Sequence, residues 1–155
     1  MDYGHSIQFG TFITPVDNPP QVAVDLARLS EQLGLDLVTF QDHPYQPAFH
    51  DTWTLLSWVA AQTETIRVAG NVLNVPMRPA PVLARAVASL DRLSGGRFLF
   101  GIGAGWNFEE MRDHGTDPKT RGALMDERIA ILGPAEPYLD RPIAFLLCAL
   151  RGYVG

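Results

Sequence analysis

An aspartate and a histidine stand side by side in TFQDHPYQP, at Asp42 and His43, behind an apolar run that reads as a strand. An adjacent carboxylate and imidazole at a strand end can work as an acid/base pair or hold the polar edge of a ligand. The same two residues serve equally as a loop cap and a structural hydrogen bond. A second candidate is RFLFGIGAGWN, residues 97–107, where Gly101, Gly103 and Gly105 end another apolar run. A dinucleotide fingerprint needs G-x-G-x-x-G after the first strand of a domain. Here the spacing is G-x-G-x-G, behind three earlier strand-like runs, so a Rossmann-type nucleotide site is disfavoured. Those glycines either admit a ligand or let neighbouring segments pack closely. GNVLN, residues 70–74, sets Gly and Asn inside an apolar strand, the mark of a bulge or of a close backbone approach. His5, His50 and His114 lack ligand spacing with His43 or with one another, and Cys148 is the sole cysteine, so no metal site is expected.

The elements that must position these residues recur along the chain. Strand-like runs start near Ile7 (IQFGTFIT), Leu35 (LDLVTF), Ile66 (IRVAGNVLNV) and Arg97 (RFLFGIG), a spacing of about 30 residues, which is the length of a βα unit. Helical patterns separate them. Val22, Leu26, Leu29 and Leu33 form one apolar stripe, with Asn18-Pro19-Pro20 as its start and Gly34 as its stop. Asp51 is an N-cap candidate for a helix carrying Trp53, Leu56, Val59 and Ala60. Leu83, Val87 and Leu90 mark a third helix, ended by Ser94-Gly95-Gly96. The strands are apolar nearly throughout, as in a parallel sheet covered by helices. In such folds the reactive groups gather at the C-terminal ends of the strands. Thr11, Asp42-His43, Asn71 and Gly105-Trp106 fall at or near those ends.

The 155 residues suit one globular domain, which is about half of a (β/α)8 barrel. A net charge of −5 with no Lys/Arg cluster leaves no footprint for nucleic acid or an anionic membrane. The longest apolar run, IAFLLCAL at 143–150, falls well short of the roughly 18 residues of a membrane span. With one cysteine and no signal-peptide pattern in MDYGHSIQFG, a cytoplasmic location is expected.

Taken in order, FGTFITP, DLVTFQDHPYQP, the stretch from DTWTLLSWVAAQ to LSGGRF, and GIGAGWNFEEMRDHG followed by RGALMDERIAIL resemble the luciferase-like monooxygenase family over residues 6–132. The resemblance implies an α/β fold of the TIM (β/α)8-barrel type and an oxidoreductase or monooxygenase that uses a reduced flavin or deazaflavin on a small organic substrate. It also implies that Ala104, Gly105 and Trp106 line the ring and ribityl side, with Thr11 at the first strand end. A bulge with a non-prolyl cis peptide is implied at Asn71–Val72, behind the ring, and His43 faces the reactive edge with Asp42 beside it. Several deazaflavin dehydrogenases of the family carry a glutamate just after the strand-four glycines, where this chain has Trp106. That difference points to FMN, with coenzyme F420 as the alternative.

Beyond Leu132 the sequence GPAEPYLDRPIAFLLCALRGYVG does not resemble the family. Gly133-Pro134 ends a helix, and Pro137 and Pro142 discourage a strand. The expectation is therefore a barrel truncated to about its first four βα units over 1–132, followed by a separate segment over 133–155. A catalytically incomplete chain follows from that expectation, and the alternative reading is a non-catalytic half-barrel fragment or interaction module. An open inner face made of Phe9, Phe12, Val38, Phe40, Val68, Val72, Phe98 and Phe100 would drive assembly into a homo-oligomer.

Overall fold

In a computed structural model of the chain, residues 7–132 and 145–147 are described. The elements follow in the order β1 (Gly10–Ile13), α1 (Val22–Gln32), β2 (Leu37–Phe40), α2 (Thr52–Gln62), β3 (Arg67–Gly70), β4 (Leu73–Asn74), α3 (Ala80–Leu93), β5 (Phe98–Gly103), α4 (Phe108–Asp113), α5 (Arg121–Leu132) and β6 (Phe145–Leu147). β1, β2, β3 and β5 lie side by side, all parallel, in chain order. The single strand expected from IRVAGNVLNV is split in two. β3 pairs with the start of β5, and β4, past an interruption at residues 71–72, pairs with its end.

The register identifies the two faces of this sheet. Thr11, Val38, Val68 and Phe98 share one row, and Phe12, Thr39, Ala69 and Leu99 the next. Successive residues of a strand point to opposite faces. The first row looks at the helices, because Thr11 Oγ1 lies 3.0 Å from Ser30 Oγ of α1 and the Phe98 ring is 5.7 Å from that of Trp53 on α2. Residues of α1, α2 and α3 close over this one face in a common core with Val38, Phe40, Val68, Phe98 and Phe100. Helices on a single face are what a barrel needs, whereas a doubly wound sheet covers both.

Two expectations about side-chain direction are corrected here. Of the eight residues assigned to an open inner face, Val38, Phe40, Val68, Phe98 and Phe100 lie beneath the helices instead, whereas Phe12, at 59% exposure, stands on the opposite row and Phe9 and Val72 fall outside the paired strands. Self-association through that face thus loses most of the large side chains on which it rested. The inward stripe of α1 is also different. Ala23, Val24, Ala27 and Ser30 are buried, while Leu26, Leu29 and Leu33 are exposed. Small residues let α1 approach closely enough for the Ser30 hydroxyl to meet Thr11. The helix starts after Gln21, with no side-chain cap from Asn18, and the Asn18–Pro19 bond is cis. The other helix signals hold. Asp51 accepts the Thr54 N–H at 2.8 Å, and Gly34 and Gly95 sit at positive φ after α1 and α3.

Beyond α5, β6 pairs in parallel with β5 from Phe100↔Phe145 to Ile102↔Leu147. A strand therefore does form within 133–155, starting after Pro142, where the prolines no longer remove ladder donors. Cys148 and the rest of that segment lie outside the described residues. Among the described residues, no helix is long and apolar enough to cross a membrane.

Glu31 ties the end of α1 to the turn before β3. Its Oε1 accepts the N–H groups of Glu64 (2.8 Å), Thr65 (2.6 Å) and Ile66 (2.9 Å) and the Thr65 hydroxyl (3.0 Å). Burial pushes this carboxyl up, but the hydrogen bonds from Thr65, Ile66 and Glu64 outweigh it and hold the group below its ordinary value. A depressed native pKa stabilises the fold above the unfolded-state value of about 4.3, and that stability is lost as pH falls through the native value. Glu31→Gln is expected to cost about 1 kcal/mol at pH 7, given solvent screening of so accessible a group. Urea denaturation across pH 2–7 should show the gap closing in the acid range. A gap independent of pH would contradict this account.

Candidate active site

The C-terminal end of β2 delivers Gln41, Asp42 and His43 to the rim of the sheet. The Asp42 side chain is 1% exposed, and both of its oxygens are engaged. Arg78 grips it bidentately, Nη2 donating to Oδ1 at 2.8 Å and Nη1 to Oδ2, while the Asn74 N–H donates to Oδ2 at 2.9 Å. A carboxylate so fully used is a structural anchor. Asp42 is thus turned away from the catalytic pairing with His43 expected from their adjacency.

The partner of His43 is Glu110, which sequence reasoning missed. Nδ1 of the imidazole lies 2.9 Å from Glu110 Oε1 and 3.2 Å from Oε2, across 67 residues of chain. Glu110 is placed by α4, whose N-terminus is capped by the Asn107 side chain, Oδ1 accepting the N–H of Glu109 and Glu110 at 3.0 and 3.3 Å. Acidic residues in a first helical turn are favoured by the helix dipole, and Met111, fully buried, pins the turn to the body of the protein. An ionised carboxylate only accepts, so the network assigns the proton to Nδ1 and leaves Nε2 of a neutral ring as the acceptor. Edge-on Trp106, with ring centroids 5.9 Å apart, and Phe49, at 6.4 Å, flank the imidazole. Asn107 and Glu110 have the capping-box spacing, a sequence signal for the start of α4 that carries no information on what its glutamate meets.

A cavity of about 110 Å³ opens beside this pair. His43, Asn71, Val72, Gly105 and Trp106, all expected at a ligand site, line it together with Asp42, and Gln41, Asn74, Asn107 and Glu110 complete the wall. The Asn71–Val72 peptide is cis, as the resemblance implied. Thr11 is not at this site, since it points to the helix face and meets Ser30, and Ala104 does not line the cavity. Asn74 Oδ1 is buried without a hydrogen-bond partner. The glycines opposite have work to do inside the protein. A Cβ on Gly103 would overlap Val72 Cγ2, and one on Gly105, whose φ is +76°, would overlap Asn74 Nδ2 and reach Met111 Cε at 2.5 Å. Among the described residues, no group of three or more His, Cys, Asp or Glu could hold a metal ion.

The F420-dependent glucose-6-phosphate dehydrogenase of Kineococcus radiotolerans is 33% identical over 136 residues, covering 83% of this chain and 40% of that protein. Among solved structures, an F420-dependent secondary alcohol dehydrogenase in complex with an F420–acetone adduct superposes with a TM-score of 0.80 at 18% identity, covering 92% of this chain and 52% of that one. The oxygenating constituent of 3,6-diketocamphane monooxygenase from Pseudomonas putida, in complex with FMN, gives 0.72 at 21% identity, covering 82% and 38%. At such identities the two structures bear on the fold alone, that of a luciferase-like TIM barrel. The chain spans less than half the length of the curated relatives it matches. The family model of the luciferase-like monooxygenases matches residues 1–136, and with the parallel sheet and the rim geometry above, this chain belongs to that family of flavin- and F420-dependent oxidoreductases.

Proposed function

We propose that this chain provides the ring-binding rim of an oxidoreductase that moves a hydride to or from a small organic hydroxyl or carbonyl compound, with coenzyme F420 as its cofactor. The observation that carries the reading is the His43–Glu110 pair in the wall of a cavity whose other sides are Asn71–Val72 and Gly105–Trp106. The residues present fit a flat, polar-edged ring. Val72 and the Trp106 indole offer apolar surface, Gln41, Asn71 and Asn107 offer amides, and the unpartnered Asn74 Oδ1 is an acceptor that a cavity ligand or ordered water would relieve. When bound, a flavin or deazaflavin supplies hydride chemistry.

The chain's own part is proton management and exclusion of water. His43 Nε2 takes the proton of a substrate hydroxyl, or returns it to a carbonyl oxygen. Glu110, accepting from Nδ1–H, holds the ring in orientation and stabilises the imidazolium that results. Trp106 and Phe49 shield the imidazole from solvent on its flanks. The lack of a glutamate beside the β5 glycines favoured FMN, but Glu110 brings a carboxylate to the same rim, and the F420-dependent dehydrogenase at 33% identity supports the deazaflavin. FMN remains the second reading, supported by the FMN-bound monooxygenase of similar fold.

Titration with coenzyme F420 and with FMN, followed by absorbance and by Trp fluorescence, tests the proposal. Saturable one-to-one binding is expected, tighter for F420. In a turnover assay with simple alcohols, His43→Asn and Glu110→Gln are each expected to reduce kcat by roughly 100-fold with cofactor affinity nearly unchanged. Saturable binding of neither cofactor would overturn the reading.

A further inference from the structure

Asn74 lines the cavity at the start of the segment that runs on to Arg78, and part of what holds that segment lies outside the cavity. Arg78 reaches Asp42 from the end of a single 3-10 turn, Val75–Met77. That turn closes on itself by one bond, from the Arg78 N–H to the Val75 carbonyl at 3.1 Å. Turns of this kind have poorer hydrogen-bond geometry than an α-helix, and Pro76 contributes no N–H. A bidentate fork, however, tolerates little displacement of the backbone that carries it.

Arg128, on α5, supplies the missing constraint. Its Nη1 donates to the Val75 carbonyl at 2.9 Å and also to the Arg78 carbonyl, so one nitrogen joins both ends of the turn across 53 and 50 residues of chain. Docking of α5 does not depend on this contact alone, because Met125 and Leu132 of the same helix pack against the core. We infer that Arg128 is a positioning residue for the cavity, acting through the 75–78 turn on Arg78 and thereby on Asp42 and Asn74. The inference deepens the proposed function, since it assumes that the cavity is the ring site. The path is continuous. Arg128 fixes the turn, Arg78 then holds the Asp42 carboxylate and touches the Asn74 carbonyl at 3.3 Å, and Asp42 in turn fixes the Asn74 N–H at 2.9 Å. Asp42 also sets where the chain enters His43.

The test reads the Asn74 amide by ¹⁵N–¹H NMR and hydrogen exchange in the cofactor-free chain, then measures affinity for coenzyme F420 and FMN. In Arg128→Met the Asn74 resonance is expected to move and its exchange to quicken at least tenfold, with the amides of α5, β1 and β2 behaving as in wild type. Arg128→Lys, which keeps the charge and a donor, should recover part of both effects. Cofactor Kd should rise about tenfold in Arg128→Met and less in Arg128→Lys. An unmoved Asn74 resonance in folded Arg128→Met would overturn the assignment, as would a loss of protection spread evenly over α5. Should Arg128→Met fail to fold, Arg128→Gln, which removes the charge and shortens the side chain, carries the same reading. If the wild-type chain binds neither cofactor, the ring-site proposal fails while the Asn74 measurement still decides the positioning.

Discussion

Replacing Asp42 by alanine should destabilise the protein by about 3–5 kcal/mol, the usual cost of removing one partner of a buried ion pair. The loss comes from what is left behind. Arg78, whose side chain is 17% exposed, would hold a charge with no carboxylate before it, and the Asn74 N–H would lose its acceptor. Replacing both ends, Asp42→Ala with Arg78→Met, removes the stranded charge, so the double variant should retain only about 1–3 kcal/mol of the deficit, owed to the orphaned amide. Urea denaturation of the two single variants and the double gives the coupling energy directly. Strictly additive losses, or a cost below about 1 kcal/mol for Asp42→Ala, would mean that the pair does not hold this segment. His43 is a different case. It is half-buried beside the cavity, and its replacement should affect proton transfer far more than stability.

The contrast between these neighbours marks where sequence reading succeeds and stops. The βα units were legible because turn chemistry and apolar runs are local. Gly34, Asp51 and Gly95 each act on the backbone within a few residues of themselves. Side-chain direction was harder. A strand buried on both faces has no polar/apolar alternation to say which face meets the helices, so Val38, Phe40 and Phe98 could not be sorted from composition. On α1 two stripes compete, one of leucines and one of alanines, and the close approach of helix to sheet selects the smaller residues. At the site, His43, Gly105 and Trp106 were found because strand ends are where loops can carry chemistry. Glu110 and Arg78 were not, since each meets its partner across 67 and 36 residues and no local pattern encodes such a meeting. Asp42 was visible, but the choice between a pair with His43 and an anchor for the loop stayed open, because adjacency in sequence says nothing about which way two successive side chains turn.

Substitution of Gly103 by valine should cost the protein at least about 3 kcal/mol, beyond the usual range for an overpacked core, and any loss of cofactor binding should follow from that loss of fold. The spacing of the β5 glycines left open whether they admit a ligand or permit close packing. The geometry favours packing at Gly103. A Cβ there would overlap Val72 Cγ2 and stand 3.3 Å from Val72 Cβ. Val72 is β-branched and stiff at χ1, so its methyls cannot swing aside as the end of a long side chain would. Gly103→Ala already introduces the overlap and should cost about 1–3 kcal/mol. The decisive comparison is Gly103→Ala with Val72→Ala. Removing the valine methyls frees the space that the new Cβ needs, so the double variant should be more stable than the sum of the single changes predicts. Thermal and urea unfolding, run beside cofactor titration, separate the two explanations. If Gly103→Val kept wild-type stability and lost only the cofactor, the glycine would be there for the ligand, and the packing account would fail.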